Sequence, residues 1–362
     1  MNQQDDIEVL VVTRHFARRW GGGEHSLAAV LDEFQTVQPG WTWTLSDGDF
    51  DPPNRLRPLP LVQLILRRNH LRHVAANFRG RLAFLQSLVG PTLLNALPRE
   101  VATVFFMRDT RYWDAWPNHE TGPRRAAKAL YRLAMAPLVA AFRRETRRAL
   151  ERADLIVANS AFMAERILAF CGREALIVYP RTPVATAPLP AGSVVGMVGD
   201  GVDKGGRILC ALAESFPDVS FRLHGHHPVP GAFPSNILAA GRESDPARLY
   251  QGLQLMLVPS QVAEAYGRVV VEALGHGVPV LASRVGGLPE TVPNLAWTVA
   301  NHDNADAWRV AFADAWSAAP SRRDEAYAFA AARRLVVDAQ HRELVQRVLA
   351  LVGETASSIT LG

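Results

Sequence analysis

The sequence predicts an α/β protein made of two doubly wound, parallel-sheet domains in tandem, facing a cleft. Three observations carry this reading. The chain has 362 residues, more than one ordinary core organises. Short apolar runs alternate with helical patterns along its whole length, as βα units do. A proline-rich stretch, Tyr179-Pro180-Arg181-Thr182-Pro183-Val184-Ala185-Thr186-Ala187-Pro188-Leu189-Pro190, separates two such series. Its prolines forbid helix and disfavour a central strand.

The first series opens with the strand Glu8–Val12. A loop with Gly21-Gly22-Gly23-Glu24 follows, then a helical pattern through Leu27, Val30, Leu31 and Phe34. Further strand-like runs are Val101–Phe106, Leu155–Ala158 and Ala175–Val178. The second series runs through Ser193–Val198, Val219–Leu223, Leu255–Val258 and Val278–Ala282. The predicted domains are 1–183 and 184–334. A helical tail over 335–362, apolar between Leu344 and Val352, is expected to pack back on the first domain.

Apolar residues make up 48% and charged residues 20%, a globular balance. No run of about 18 uninterrupted apolar residues predicts a transmembrane helix. Asp5, Asp6 and Glu8 occupy the start, where a secretory leader carries basic residues. Two cysteines, Cys171 and Cys210, suit a reducing cytoplasm and ordinary helix positions. The net charge of +4 hides an asymmetry. Residues 1–183 carry 25 Lys/Arg and 18 Asp/Glu, a net of +7, and the rest carries 14 and 17, a net of −3. The stretch 124–152 holds nine basic residues against Glu145 and Glu151.

The most informative segment runs from Pro259 to Glu290. A strand ends at Pro259-Ser260, a loop carries Glu264, and Ala265-Tyr266-Gly267 leads into a helix. The amides of Gly267, Arg268 and Val269 then sit at a helix start, where backbone donors and the dipole favour an anion. Glu272 lies farther into that helix, and a carboxylate there can accept two hydroxyl hydrogen bonds, as a ribose diol offers. Glu264 stands nearer the far end of a bound diphosphate. Two glutamates eight residues apart mean little alone. The order of features carries the specificity: strand, Pro-Ser, Glu, aromatic-Gly, helix, Glu-Ala, Gly-x-Gly, Val-Pro-Val, Gly-Gly-Leu-Pro-Glu.

This segment resembles the donor-site signature of retaining glycosyltransferase family 4, the glycogen-synthase-like GT-B group with an E-x7-E motif. The resemblance is close over 255–292 and loose over the rest. It implies the GT-B fold, two Rossmann-like domains, and a hexosyl-type transferase that needs no metal. It also implies that Glu264 meets the donor sugar, that Glu272 holds the ribose, and that the amides at 267–269 hold the diphosphate. Gly22 and Gly23 resemble the family's glycine-rich first loop, and Lys204 in Asp203-Lys204-Gly205 its phosphate-binding lysine. Gly241-Arg242-Glu243 matches the region that borders the base.

Two positions depart from the family. Asp200 stands where an arginine is usual, with Arg268 as the candidate replacement charge. Arg108-Asp109 stands where members carry His-Asp, and an arginine cannot act as a base. It can hold a phosphate or an acidic acceptor; a surface pair with Asp109 is the other reading. Tyr112, Trp113 and Trp116 are candidates for the acceptor side, although aromatics also pack cores. His224-Gly225-His226-His227 lacks a carboxylate to complete a ligand set, and no metal is expected there.

The implied activity is transfer of a sugar from a nucleotide-sugar co-substrate to a glycan or lipid-linked acceptor in polysaccharide or glycoconjugate biosynthesis. The expected location is cytoplasmic. A basic helix over 137–152, with Pro137 in its first turn, suits peripheral attachment to an anionic membrane; a solvated basic face is the alternative. No nucleic-acid-binding motif accompanies the charge. Two rival readings stay open: a non-catalytic nucleotide-sugar-binding scaffold, and a nucleotide-sugar epimerase of the same architecture.

Overall fold

The computed structural model describes residues 7–13, 22–47, 60–86, 90–109, 123–199, 201–225 and 233–353. The chain divides into two compact units. One comprises Met1–Tyr179 with Ala339–Gly362, the other Pro180–Asp338.

The first unit runs β1 (Glu8–Thr13), α1 (Gly22–Val37), β2 (Thr42–Asp47), α2 (Pro60–Asn77), β3 (Leu82–Gln86), α3 (Gly90–Ala96), β4 (Ala102–Met107), α4 (Pro123–Arg152), β5 (Leu155–Ala158), α5 (Ala161–Cys171) and β6 (Leu176–Ile177). Its sheet is parallel, in the order β2-β1-β3-β4-β5-β6. The central strands are apolar without alternation because helices cover both faces. Val104, Phe105, Phe106 and Met107 of β4 are all fully buried. Local chemistry sets the helix ends. Ser160 caps α5 by accepting from the Met163 amide, and Gly172 closes it in the left-handed conformation.

The second unit runs β7 (Val194–Val198), α6 (Gly206–Ser215), β8 (Ser220–His224), β9 (Ile237–Gly241), α7 (Pro246–Tyr250), β10 (Leu253–Val258), α8 (Arg268–Gly275), β11 (Val280–Ser283), β12 (Thr298–Val299) and α9 (Ala305–Ala318). Its parallel sheet has the order β12-β11-β10-β7-β8-β9. Numbered from β7 as the first strand, this is 6-5-4-1-2-3, a Rossmann order. Leu209 and Leu212 of α6 pack with Trp308 and Phe312 of α9 in one core cluster. Val270, Ala273 and Leu274 of α8 pack with Leu288 and Trp297 in another.

The last helix, α10 (Arg323–Leu351), is shared between the units. Ala326 and Ala330 join the second unit's core, whereas Leu344, Val345, Val348 and Leu349 join the first unit's core. Each such burial contributes roughly 1.5–3 kcal/mol for a large aliphatic side chain. His341 and Glu33 fix this end: Nδ1 lies 2.8 Å from Oε2, and both side chains are buried. Arg81 adds a bond from Nη2 to the Val352 carbonyl, 2.7 Å.

Some elements differ from the sequence expectations. Pro137 lies inside α4, which begins fourteen residues earlier at Pro123, not in a first turn. An interior proline loses one helix bond and costs about 3 kcal/mol. The helix continues because its last turns are anchored: Ala149 and Leu150 are buried, and Arg152 donates to the carbonyls of Leu94, Leu97 and Pro98. The C-terminal helix starts at Arg323 rather than near 333. Strands β2, β3, β9 and β12 were not anticipated. Three of them are sheet edges.

Candidate donor site

In a doubly wound sheet the ligand crevice opens beyond the strand ends where the order reverses. In the second sheet that point lies between β7 and β10. The loops leaving these two strands carry Lys204 and Glu264. They touch directly. The Gln261 amide donates to the Asp203 carbonyl, 2.8 Å. Gly205 has φ +85°, and a Cβ there would lie 2.1 Å from the Pro259 carbonyl oxygen. Glycine is therefore what allows the two loops to meet.

The contact brings Lys204 Nζ to 2.5 Å from Glu264 Oε1. The Ser260 hydroxyl donates to the same oxygen, 2.7 Å. Behind them, the Gly287 amide donates to the Glu264 carbonyl, 2.8 Å. The Glu264 carboxylate is thus oriented by a cation and a hydroxyl, and its side chain is one-fifth exposed.

Gly267 precedes α8 with φ +100°. This conformation turns the chain sharply out of the loop and starts the helix at Arg268. The first-turn amides lie at the positive pole, and the Val270 amide is taken by the Gly267 carbonyl, 3.0 Å. Five residues on, Glu272 is held from two sides. Arg268 Nη2 donates to Oε1 at 2.9 Å, and the Tyr250 hydroxyl donates to Oε2 at 3.3 Å. His276 Nδ1 donates to the Glu272 carbonyl, 2.7 Å. Burial, and then the Glu272 charge, push the Tyr250 phenol well above its ordinary range. It therefore stays a neutral donor. Tyr266 is also buried, which raises its phenol, and Arg333 lies over its ring at 5.9 Å.

The second unit thus brings together Lys204, Glu264, Ala265, Tyr266, Gly267, Arg268, Val269 and Glu272. Arg268 spends its guanidinium on Glu272. Arg242 stands apart, exposed at the end of the edge strand β9, two strands from β7. Asp200, His226 and His227 lie outside the described residues. His224 is buried, and burial lowers its pKa. Sequence reasoning missed Tyr250, whose bond to Glu272 spans 22 residues, and the hydroxyl of Ser260. Ser260 falls inside the motif, but nothing in the spacing shows which way it points.

In the first unit, Gly22 and Gly23 open α1. Arg108 follows β4 and donates from Nη1 to the Gly23 carbonyl, 3.1 Å. Its guanidinium lies 4.9 Å from the centre of the Phe106 ring. Asp109 is half-buried beside it. Gln86 at the end of β3 reaches Thr13 at the end of β1, 3.4 Å, and both are buried. Tyr112, Trp113 and Trp116 lie outside the described residues.

The basic stretch is partly committed within the protein. Arg147 donates twice to the Phe170 carbonyl and stacks on that ring with Arg143. Arg68 pairs with Glu145 at 2.9 Å. Among the described residues no helix is long and apolar enough to cross a membrane.

Residues 234–328 match the family model described as Glycosyl transferases group 1. That segment contains Glu264 and Glu272 but not Lys204. The D-inositol 3-phosphate glycosyltransferase of Mycobacterium sp. (strain KMS) is 31% identical over 175 residues, which is 39% of this chain and 40% of that protein. The chain spans less than half the length of the curated relatives it matches first. Among solved structures, sucrose-phosphate synthase from Thermosynechococcus elongatus superposes with a TM-score of 0.70 at 16% identity, covering 96% of this chain and 99% of that one. Anabaena Alr3699/HepE, solved with UDP and glucose, gives 0.63 at 17% identity, covering 94% and 99%. The chain thus has the GT-B fold, two Rossmann-like α/β domains of six parallel strands each, and within it a segment similar to the group 1 glycosyl transferases.

Proposed function

We propose that the protein is a retaining glycosyltransferase of the family 4 type, which moves a hexosyl group from a nucleoside-diphosphate sugar to a glycan or lipid-linked acceptor. The observation that carries this reading is the meeting of Lys204 and Glu264 at the switch point of the second sheet, next to the start of α8. A diphosphate placed at that helix start lies beside the Lys204 ammonium, and Glu272 takes the ribose hydroxyls. Glu264 then faces the sugar.

The reaction breaks the bond between the anomeric carbon and the diphosphate oxygen, and the electron pair leaves with the diphosphate. The acceptor hydroxyl attacks from the same face and passes its proton to the departing oxygen. Lys204 and the helix pole stabilise the negative charge that develops, in the role a metal ion would otherwise fill. Arg108 serves an acidic acceptor, for which a guanidinium fork is suited. The basic face of α4 suits an anionic membrane surface that presents a lipid-linked acceptor, at the cytoplasmic side.

The test is turnover. Purified protein is incubated with UDP-, GDP- and ADP-sugars and with glycan or lipid-phosphate acceptors, and both nucleotide release and the anomeric configuration of the product are read. Acceptor-dependent release with retained configuration supports the proposal, and Glu264→Gln should abolish it. Tight nucleotide-sugar binding without turnover would replace it with a scaffold role, the reading that Arg108 in the histidine position favours. Inverted product would contradict the retaining chemistry.

A further inference from the structure

On one face of the first sheet the apolar core stops at the carboxyl ends of the strands. Val11 of β1, Phe84 of β3, Phe106 of β4 and Val157 of β5 belong to one buried cluster. Side chains two positions apart on a strand share a face. The next residues on that face are therefore Thr13, Gln86, Arg108 and Asn159, all polar. The parallel register, continued by one residue, sets Gln86 beside Thr13 and Asn159 beside Arg108. Helix α1 packs on the same face through Leu27, Val30, Leu31 and Phe34, and its first turn meets the polar row. The Gly23 carbonyl accepts from Arg108, and a Cβ on Gly23 would stand 3.3 Å from Gln86 Nε2.

This row lies at the switch point of the first sheet. The order β2-β1-β3-β4-β5-β6 reverses between β1 and β3, which is where a doubly wound sheet holds a ligand. Thr13 and Gln86 end these two strands. Gln86 is only 4% exposed and Asn159 6%. Among the described residues, neither Gln86 Oε1 nor Asn159 Oδ1 has a hydrogen-bond partner. The one bond of the Gln86 amide is a long one, 3.4 Å from Nε2 to Thr13 Oγ1. A buried carbonyl oxygen without a donor disfavours the folded state. Two of them beside a ligand crevice point to a ligand that brings the donors. Amide oxygens present negative ends, so they repel an anion and attract O–H groups. The site draws no charge from Arg108, whose guanidinium donates to Gly23 and lies 4.9 Å from the centre of the Phe106 ring. Hydroxyl groups on a carbon ring fit such a row, because each donates one bond and accepts others.

We propose that this row binds the hydroxyl groups of a carbohydrate, with Gln86 Oε1 and Asn159 Oδ1 as acceptors. In a transferase that carbohydrate is the acceptor sugar. This role rests on the reading above, whereas the binding site does not.

The experiment is saturation-transfer NMR of the full chain with glucose, galactose, mannose, N-acetylglucosamine and maltose, beside urea unfolding of Gln86→Met and Asn159→Leu. At least one sugar should give a saturable signal. Each variant should lose at least about tenfold in affinity, and Glu264→Gln should keep the parent's. The urea midpoint of each variant should equal or exceed the parent's, because an apolar side chain of similar shape removes the unpaired oxygen. Three results would overturn the proposal. One is no saturable signal from any of these sugars up to roughly 10 mM. Another is a signal that survives in both variants or is lost in Glu264→Gln. The third is a variant midpoint below the parent's, which marks the amides as parts of the scaffold. Sugar binding that needs Gln86, in a protein that turns over no nucleotide sugar, would end the transferase reading and leave this site standing.

Discussion

Lys204 Nζ and Glu264 Oε1 meet at 2.5 Å across two loops that leave the paired strands β7 and β10. Neither residue is near the other in sequence, and the pair stands where the order of the second sheet reverses. The lysine's charge orients the carboxylate, so the two side chains form one unit. Replacing Lys204 with Ala should weaken nucleoside-diphosphate binding by roughly tenfold to a hundredfold, the range for losing a charged hydrogen bond. Glu264→Gln should leave nucleotide affinity within a few-fold and abolish turnover. Direct binding titrations beside steady-state rates separate the two effects, and equal losses of affinity in both variants would contradict this division of labour.

The approach of the loops depends on Gly205. Alanine there must adopt φ +85° and place its Cβ against the Pro259 carbonyl. Gly205→Ala should therefore cost about 1–3 kcal/mol of stability and reduce nucleotide affinity through displaced Lys204. Urea unfolding together with nucleotide titration checks both. A variant as stable as the parent would show that the loops do not need this contact.

Tyr250 predicts a pH dependence. Its phenol is raised in the folded protein by burial and then by Glu272, while in the unfolded chain it ionises in the ordinary range near pH 10. The folded state therefore binds more protons above that point. The stabilisation is complete below about pH 10 and is lost as pH rises toward the folded value. Tyr266 acts in the same direction. Urea midpoints measured from pH 8 to 11 should fall at the alkaline end, and Tyr250→Phe should fall less steeply there while losing about 1 kcal/mol at neutral pH. An identical alkaline slope in the variant would remove Tyr250 from this account.

His341 and Glu33 lie 308 positions apart in sequence and seal the end of α10 onto α1. His341→Ala leaves a buried carboxylate without that partner, at a cost of about 1–3 kcal/mol. Limited proteolysis should then cut the C-terminal turns of α10 faster, whereas the second unit's midpoint stays constant.

How far the sequence could be read follows from the kind of signal each part leaves. The Rossmann-like alternation was legible because buried parallel strands such as Val104–Met107 are unbroken apolar runs. The segment Pro259–Glu290 was legible because strand, loop, glycine and helix follow one another within a few residues. Three of the four edge strands, β2, β9 and β12, left little trace. Only Ile237 of the five residues in β9 is buried, so no apolar period marks the strand. The partnership of Tyr250 with Glu272 was not legible, because it joins residues from separate elements and only the folded sheet brings them together. Pro137 misled in the opposite way. A proline marks a helix start when local rules act alone, yet here packing of the later turns carries the helix through it.

The most direct test of the central claim, that the second unit holds a nucleotide-sugar donor, is a thermal-shift measurement against UDP, GDP, ADP, CMP and dTDP with parent protein and Glu272→Ala. Selective binding stabilises the native state by mass action, about 2.7 kcal/mol at a hundredfold excess over Kd. The account predicts that one nucleotide raises the melting temperature of the parent and that Glu272→Ala loses most of that rise. No shift with any nucleotide, or a shift that Glu272→Ala leaves intact, would contradict it.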